Sequence, residues 1–132
     1  MINWIEKQHK VRSHMNERNV GVSVSKPDAK QQRIWFYIGE RAAEALLDGG
    51  AYEFVRVGTD LKNGKVYFDR AECDDGYKVM KKTGRASVSF TADDGMYRYF
   101  SKRVGEYPLY YDKMQKLYFI IVDLSMNRGA TT

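Results

Sequence analysis

Only one cysteine, Cys73, stands in this chain of 132 residues, so no intrachain disulfide can hold the fold. No apolar run approaches the ~20 residues that cross a bilayer. Residues 1–10 carry no continuous apolar core of the kind that directs export. Together these absences point to a reducing, cytoplasmic setting and to no membrane partner. There is no phosphate-loop glycine motif, no zinc-ligand spacing and no nucleophile elbow. The two histidines, His9 and His14, have no partner at ligand spacing. Cys73 sits beside Asp74 and Asp75, whose negative charge disfavours a reactive thiolate. The chain therefore reads as non-catalytic, with no cofactor and no bound metal. One enzymatic alternative stays open. Glu72, Asp74 and Asp75, and separately Asp93 and Asp94, form acidic clusters of the sort that hold a divalent cation in a nicking nuclease. Acidic residues are equally at home in turns for local hydrogen-bonding reasons.

Core-forming and charged residues are both plentiful. The 43% hydrophobic content is enough for one core, and the ten tyrosines suit strands, where aromatic rings pack on a pleated surface. The net charge of +5 is segregated. Residues 1–26 carry +3, residues 40–76 carry −4, and residues 77–103 carry +5. Segregation of this kind suggests one face shaped for a polyanion.

Val20, Val22 and Val24 alternate with Gly21, Ser23 and Ser25, the period of a half-buried strand. Residues 33–38 form a second strand. A short helix over 40–48 follows, with Ala42, Ala43, Leu46 and Leu47 as its apolar stripe, stopped by Gly49-Gly50. Strands over 52–57, 65–71, 77–82 and 85–90 then form a meander, punctuated by Asn63-Gly64, Asp74-Asp75-Gly76 and Thr83-Gly84. A second helix spans 92–104, with Thr91 as N-cap and Met96, Tyr99, Phe100 and Arg103/Val104 as its buried stripe. A closing hairpin over 107–111 and 116–122 completes the domain. The expected organisation is an arm over 1–18, one α+β domain over 19–124, and a mobile tail over 125–132. Its fold class is α+β, curled antiparallel sheets each backed by a short helix.

A faint internal repeat runs through this pattern. Strand–helix–strand–strand occurs twice, over 33–68 and 85–121, offset by about 52 positions. Lys65-Val66-Tyr67-Phe68 aligns with Lys116-Leu117-Tyr118-Phe119. Two unrelated copies of a common unit would give the same pattern.

Single strands are gripped by a positive groove with rings on which bases stack. The central meander interleaves both: Lys62, Lys65, Tyr67, Arg70, Tyr77, Lys78, Lys81, Lys82 and Arg85. Strand alternation puts Lys78, Met80 and Lys82 on one face, read as the outward one, and Tyr77, Val79 and Lys81 on the other. The run Lys65-Val66-Tyr67-Phe68-Asp69-Arg70-Ala71, the turn Asp74-Asp75-Gly76, then 81–91 and a helix, resembles the positive cofactor four family. Those proteins are small transcription coactivators and bacterial relatives that bind single-stranded DNA. The Whirly proteins resemble two such units fused, which matches the repeat. The resemblance covers about 45 residues. It departs in having one residue fewer between acid and arginine, and two further strands after the helix. It implies backbone contacts at Arg70, Lys81, Lys82 and Arg85, and stacking at Tyr67 and Tyr77. The expected function is a single-stranded-DNA-binding module linked to transcription or replication, from a phage or other mobile element. Homo-oligomerisation is expected because a small curled sheet leaves strand edges unpaired. The alternative is an anti-CRISPR or other anti-defence inhibitor that binds a host defence protein or ribonucleoprotein.

Overall fold

Strict alternation organises the second strand. In Arg33–Gly39 (β2), Ile34, Phe36 and Ile38 are fully buried while Arg33, Trp35 and Tyr37 stay partly exposed. Successive strand residues face opposite ways, so burying one set presents the other outward. The same rule shapes Asn19–Val24 (β1), Phe54–Asp60 (β3), Lys65–Ala71 (β4), Arg85–Thr91 (β7) and Leu117–Ile121 (β10). Short strands complete the set: Tyr77–Lys78 (β5), Met80–Lys82 (β6), Gly105–Pro108 (β8) and Tyr110–Asp112 (β9). Two helices, Glu40–Leu46 (α1) and Asp94–Ser101 (α2), follow β2 and β7. The computed structural model describes residues 16–72, 75–82 and 85–122. Most of the expected arm, the expected tail, both histidines, Cys73, Asp74 and the turn residues Thr83 and Gly84 lie outside the described residues.

Among the described residues the fold is α+β: two five-stranded antiparallel sheets with two helices. Sheet A has the order β6-β7-β2-β1-β8, and sheet B has β5-β3-β4-β10-β9. The expected single meander is corrected here. Residues 77–82 do not extend it as one strand. They leave sheet B, where Tyr77 pairs with Val55, and enter sheet A, where Met80 pairs with Ser87. Buried Val79 is the pivot. At this corner a Cβ on Gly76 would lie 2.6 Å from the Val55 carbonyl oxygen, so only glycine fits the close approach. Residues 105–112 make the second corner, from β1 of sheet A to β10 of sheet B. The two sheets are thus joined at both edges, in the manner of a flattened barrel. Barrels remove long free edges, so the strand-edge argument for oligomerisation does not apply to this topology.

Phe36 occupies the middle of the core. Its ring meets Phe68 of the opposite sheet edge-on at 5.3 Å, Phe100 of α2 edge-on at 5.7 Å, and Phe90 at 6.0 Å. The helices pack at the two ends. Because β2 and β7 are antiparallel, the helix after each falls at an opposite end. Leu46 and Leu47 seal one end, Phe100 and Tyr97 the other. Tyr97 donates to the Ser25 carbonyl, and Tyr99 to the Leu61 carbonyl at 3.1 Å. The second helix is shorter than expected at both ends. Thr91 still pairs with Arg33 as the last residue of β7, so Asp93 caps the helix instead, accepting from the Met96 amide at 2.8 Å. This shift of phase buries Tyr97 with Phe100, leaves Met96 and Tyr99 partly buried, and exposes Val104.

Ladder registers carry a regularity. Phe36 faces Val88 across β2 and β7, and Tyr67 faces Phe119 across β4 and β10. Each pair is separated by 52 positions. The β3–β4 hairpin pairs Asp60 with Lys65, and the β9–β10 hairpin pairs Asp112 with Leu117, both displaced by the same 52. The loops agree too: Gly64 and Lys116, again 52 apart, both take the left-handed conformation, with φ of 68° and 57°. The alignment of Lys65–Phe68 with 116–119 is therefore one residue out, since Lys65 corresponds to Leu117 in the ladders.

Truncating Leu46 to Ala is expected to cost ~2–5 kcal/mol, as for a core leucine, read as a large drop in melting temperature. Tyr107 gives a second test. Its buried phenol donates to the Arg103 carbonyl at 2.6 Å, and burial, the larger effect, raises its pKa against the lowering pull of the Arg103 charge. A raised folded-state pKa means this contribution is intact below the ordinary tyrosine value of about 10 and is lost as pH rises through the folded value. The stability gap between the parent and Tyr107→Phe is expected to be flat up to about pH 10 and to shrink above it, checked by chemical denaturation at each pH.

Candidate nucleic-acid interface

The outward set of sheet A forms one continuous face. Its central strand β2 presents Arg33, Trp35 and Tyr37. The neighbours opposite are small: Ser23 and Ser89 flank Trp35, and Gly21 and Ser87 flank Tyr37. Two aromatic side chains thus stand in a field of short hydroxyl and glycine positions. Among the described residues Trp35 has no ring or cation packed on it. The Arg85 guanidinium lies over the Tyr37 ring at 4.7 Å. Arg33 is held in place by donating to the Ser89 hydroxyl at 2.9 Å and the Thr91 hydroxyl at 3.2 Å. Lys82 stands opposite Arg85, and exposed Met80 stands opposite Ser87. The one carboxylate in an outward position of this sheet is Glu106, among the described residues. It sits on β8 and accepts from the Asn19 side chain and the Asn16 amide.

This arrangement divides the nine residues expected from the sequence. Lys82 and Arg85 belong to the sheet A face, with Lys78 at the corner beside it. Lys81 points the other way, with Ala86, towards a shallow depression beside α1 that Glu40, Glu44 and Gly50 border and that Lys82 and Arg85 also line. Tyr77 stacks on Phe90 at 5.3 Å and is 44% exposed. Lys65 and Tyr67 face outward from sheet B, on the other side of the molecule, where Lys65 lies over the Phe119 ring at 5.1 Å. Lys62 is exposed in the β3–β4 loop. Arg70 is engaged at the α1 end: it donates to the Ala45 carbonyl, lies 3.7 Å from Asp48 and stacks on Tyr52.

Trp35, Tyr37 and Arg33 were absent from that expected set. The signal that finds them is the alternation within 33–38: Ile34, Phe36 and Ile38 claim the core, which leaves an arginine and two rings outside. The acidic pairs have local uses. Asp93 caps α2, and Asp94 pairs with Arg98 at 3.0 Å and accepts from Gln32. No cluster of three or more metal-ligating side chains forms among the described residues. Comparison of the chain with protein-family models, with curated proteins and with solved structures finds no match.

The charge around Trp35 can be checked without any ligand. In a Trp4→Phe background, iodide is expected to quench Trp35 fluorescence more strongly than caesium does, because Arg33, Arg85 and Lys82 make the face around it cationic. Adding salt should narrow the difference, since screening shortens the reach of those charges.

Proposed function

We propose that this protein is a non-catalytic binder of single-stranded nucleic acid, with single-stranded DNA as the reference ligand, and that the outer face of sheet A is its contact surface. One observation carries the reading: Trp35 and Tyr37, both partly exposed, face outward among serine and glycine positions, with Arg33, Lys82 and Arg85 on the same face. Rings on an open sheet offer π-faces to unstacked bases, and guanidinium and ammonium groups track the phosphates. A duplex keeps its bases stacked inside and gains nothing from exposed rings. The small neighbours leave room for a base to lie on Trp35. The ladder regularity at 52 positions supports a second element of the proposal: the fold arose by duplication of a strand–strand–helix–strand–strand unit. The two copies meet at β2–β7 and at β4–β10. In this respect it resembles the fused two-unit arrangement of the Whirly proteins.

Base–aromatic stacking contributes ~1–3 kcal/mol per base, so Trp35→Ala is expected to weaken binding to oligo-dT about 10-fold or more with the melting temperature little changed. Changing Arg33, Lys82 and Arg85 together to Ala should flatten the dependence of log affinity on log salt by about two units, at ~0.7 per lost phosphate contact. Lys81→Ala, directed away from the face, should bind as the parent does. Fluorescence anisotropy across a salt series measures all three. A folded Trp35→Ala variant with parental affinity refutes this surface.

A further inference from the structure

Sheet B turns a different face outward. Across β3, β4, β10 and β9, one row reads Gly58, Tyr67, Phe119, Tyr110. The three rings pack side by side, Tyr67 on Phe119 at 5.9 Å and Tyr110 on Phe119 at 5.5 Å. Lys65 covers Phe119 from above. Rings packed side by side this way, with the Lys65 ammonium over the middle one, form one row and not separate faces for bases. Charge is balanced here: Arg56, Lys65 and Lys78 stand with Asp60, Asp69 and Asp112, whereas the chain as a whole carries +5. Two copies of so basic a protein meet at least electrostatic cost through this face.

The row is also self-complementary. At one end Gly58 leaves a notch, where a Cβ would meet nothing closer than the Tyr67 Cβ at 3.9 Å. At the other end Tyr110 is a knob, 45% exposed. A two-fold axis lying in the interface and parallel to the strands reverses the row. It sets each Tyr110 over the partner copy's notch and each Tyr67 opposite a Phe119. The adjoining row, which begins at Arg56 on β3 and ends at Asp112 on β9, is reversed by the same axis, so each Arg56, already paired with Asp69 of its own copy at 2.7 Å, comes opposite the other copy's Asp112 carboxylate. We infer that the protein is a homodimer built face to face through the outer surface of sheet B, with the knob of each copy in the notch of the other. Aligned sheets packed face to face are a standard arrangement, and an isologous interface needs this kind of self-match. The two sheet A faces then point away from each other. The inference rests on sheet B alone and is independent of the nucleic-acid reading.

The test is mass by sedimentation at concentrations up to the order of 100 µM, where even a micromolar dimer is nearly fully formed. The parent is expected to be a dimer. Gly58→Tyr fills the notch and should give a folded monomer. Gly58→Tyr combined with Tyr110→Gly exchanges notch and knob and should restore the dimer, which a folding defect would not do. Trp35→Ala, on the opposite sheet, should leave the dimer intact while oligonucleotide binding falls. A monomeric parent overturns the inference and leaves the face to a partner of another kind. So does a Gly58→Tyr variant that stays dimeric, or a double variant that stays monomeric.

Discussion

The contact of Phe36 with Phe68 sets both the seating of the two sheets and the face that each side chain of β2 takes. An edge-to-face pair at 5.3 Å locks one sheet on the other, and Phe100 adds a second edge-on contact from α2. A buried phenylalanine in such a cluster contributes area burial plus about 0.5–1.5 kcal/mol from ring geometry. Once Phe36 points inward, Trp35 and Tyr37 have no choice but to point outward. A slip of one residue would bury Arg33 and two polar-tipped rings and expose three large hydrophobes. The outward display of Trp35 and Tyr37 is therefore a by-product of the core, fixed by the same register.

The second constraint is closure. The ten short strands of the described residues would leave ragged edges if the two sheets ended separately. The corner strands at 77–82 and 105–112 belong half to each sheet and bend at Val79 and Leu109. Closure also sorts the charge. The basic run after Tyr77 lies on a corner, so its lysines diverge: Lys82 joins the sheet A face, Lys81 turns towards α1, and Lys78 stays at the rim.

The 52-residue regularity joins these two constraints. Phe36–Val88 and Tyr67–Phe119 mark the middles of two ladders, one in each sheet. The core is built around the first of them. The second lies on the outside of sheet B, where Gly58 and Tyr110, also 52 positions apart, differ greatly in size. Positions 52 apart thus differ in shape: one is a gap at Gly58 and the other a projection at Tyr110.

The element types are written locally in the chain, because alternation in 20–25 and 33–38 and the helical stripe ending in Leu46 and Leu47 need no distant partner to be read. The concentration of positive charge in 77–103 is legible in the same way. Which strands become neighbours is settled only on folding. Pairing of β2 with β7 and of β4 with β10 joins segments some fifty residues apart, and no local pattern encodes it. The split of residues 77–82 was hidden for the same reason: a strand that changes sheets keeps its alternation while its partners change. The resemblance drawn from residues 65–91 placed the contacts on one surface, but β4 and β6 lie in different sheets, so Lys65 and Tyr67 separate from Lys82 and Arg85. Arg70 looked free in one dimension because its partners, Ala45, Asp48 and Tyr52, come from the helix end and the loop after it. A charge count along a chain cannot show which cations folding will engage, which is why Arg70 was misread, whereas burial of every second residue in a strand can be read directly and is the signal by which Trp35, absent from the expected set, could have been found.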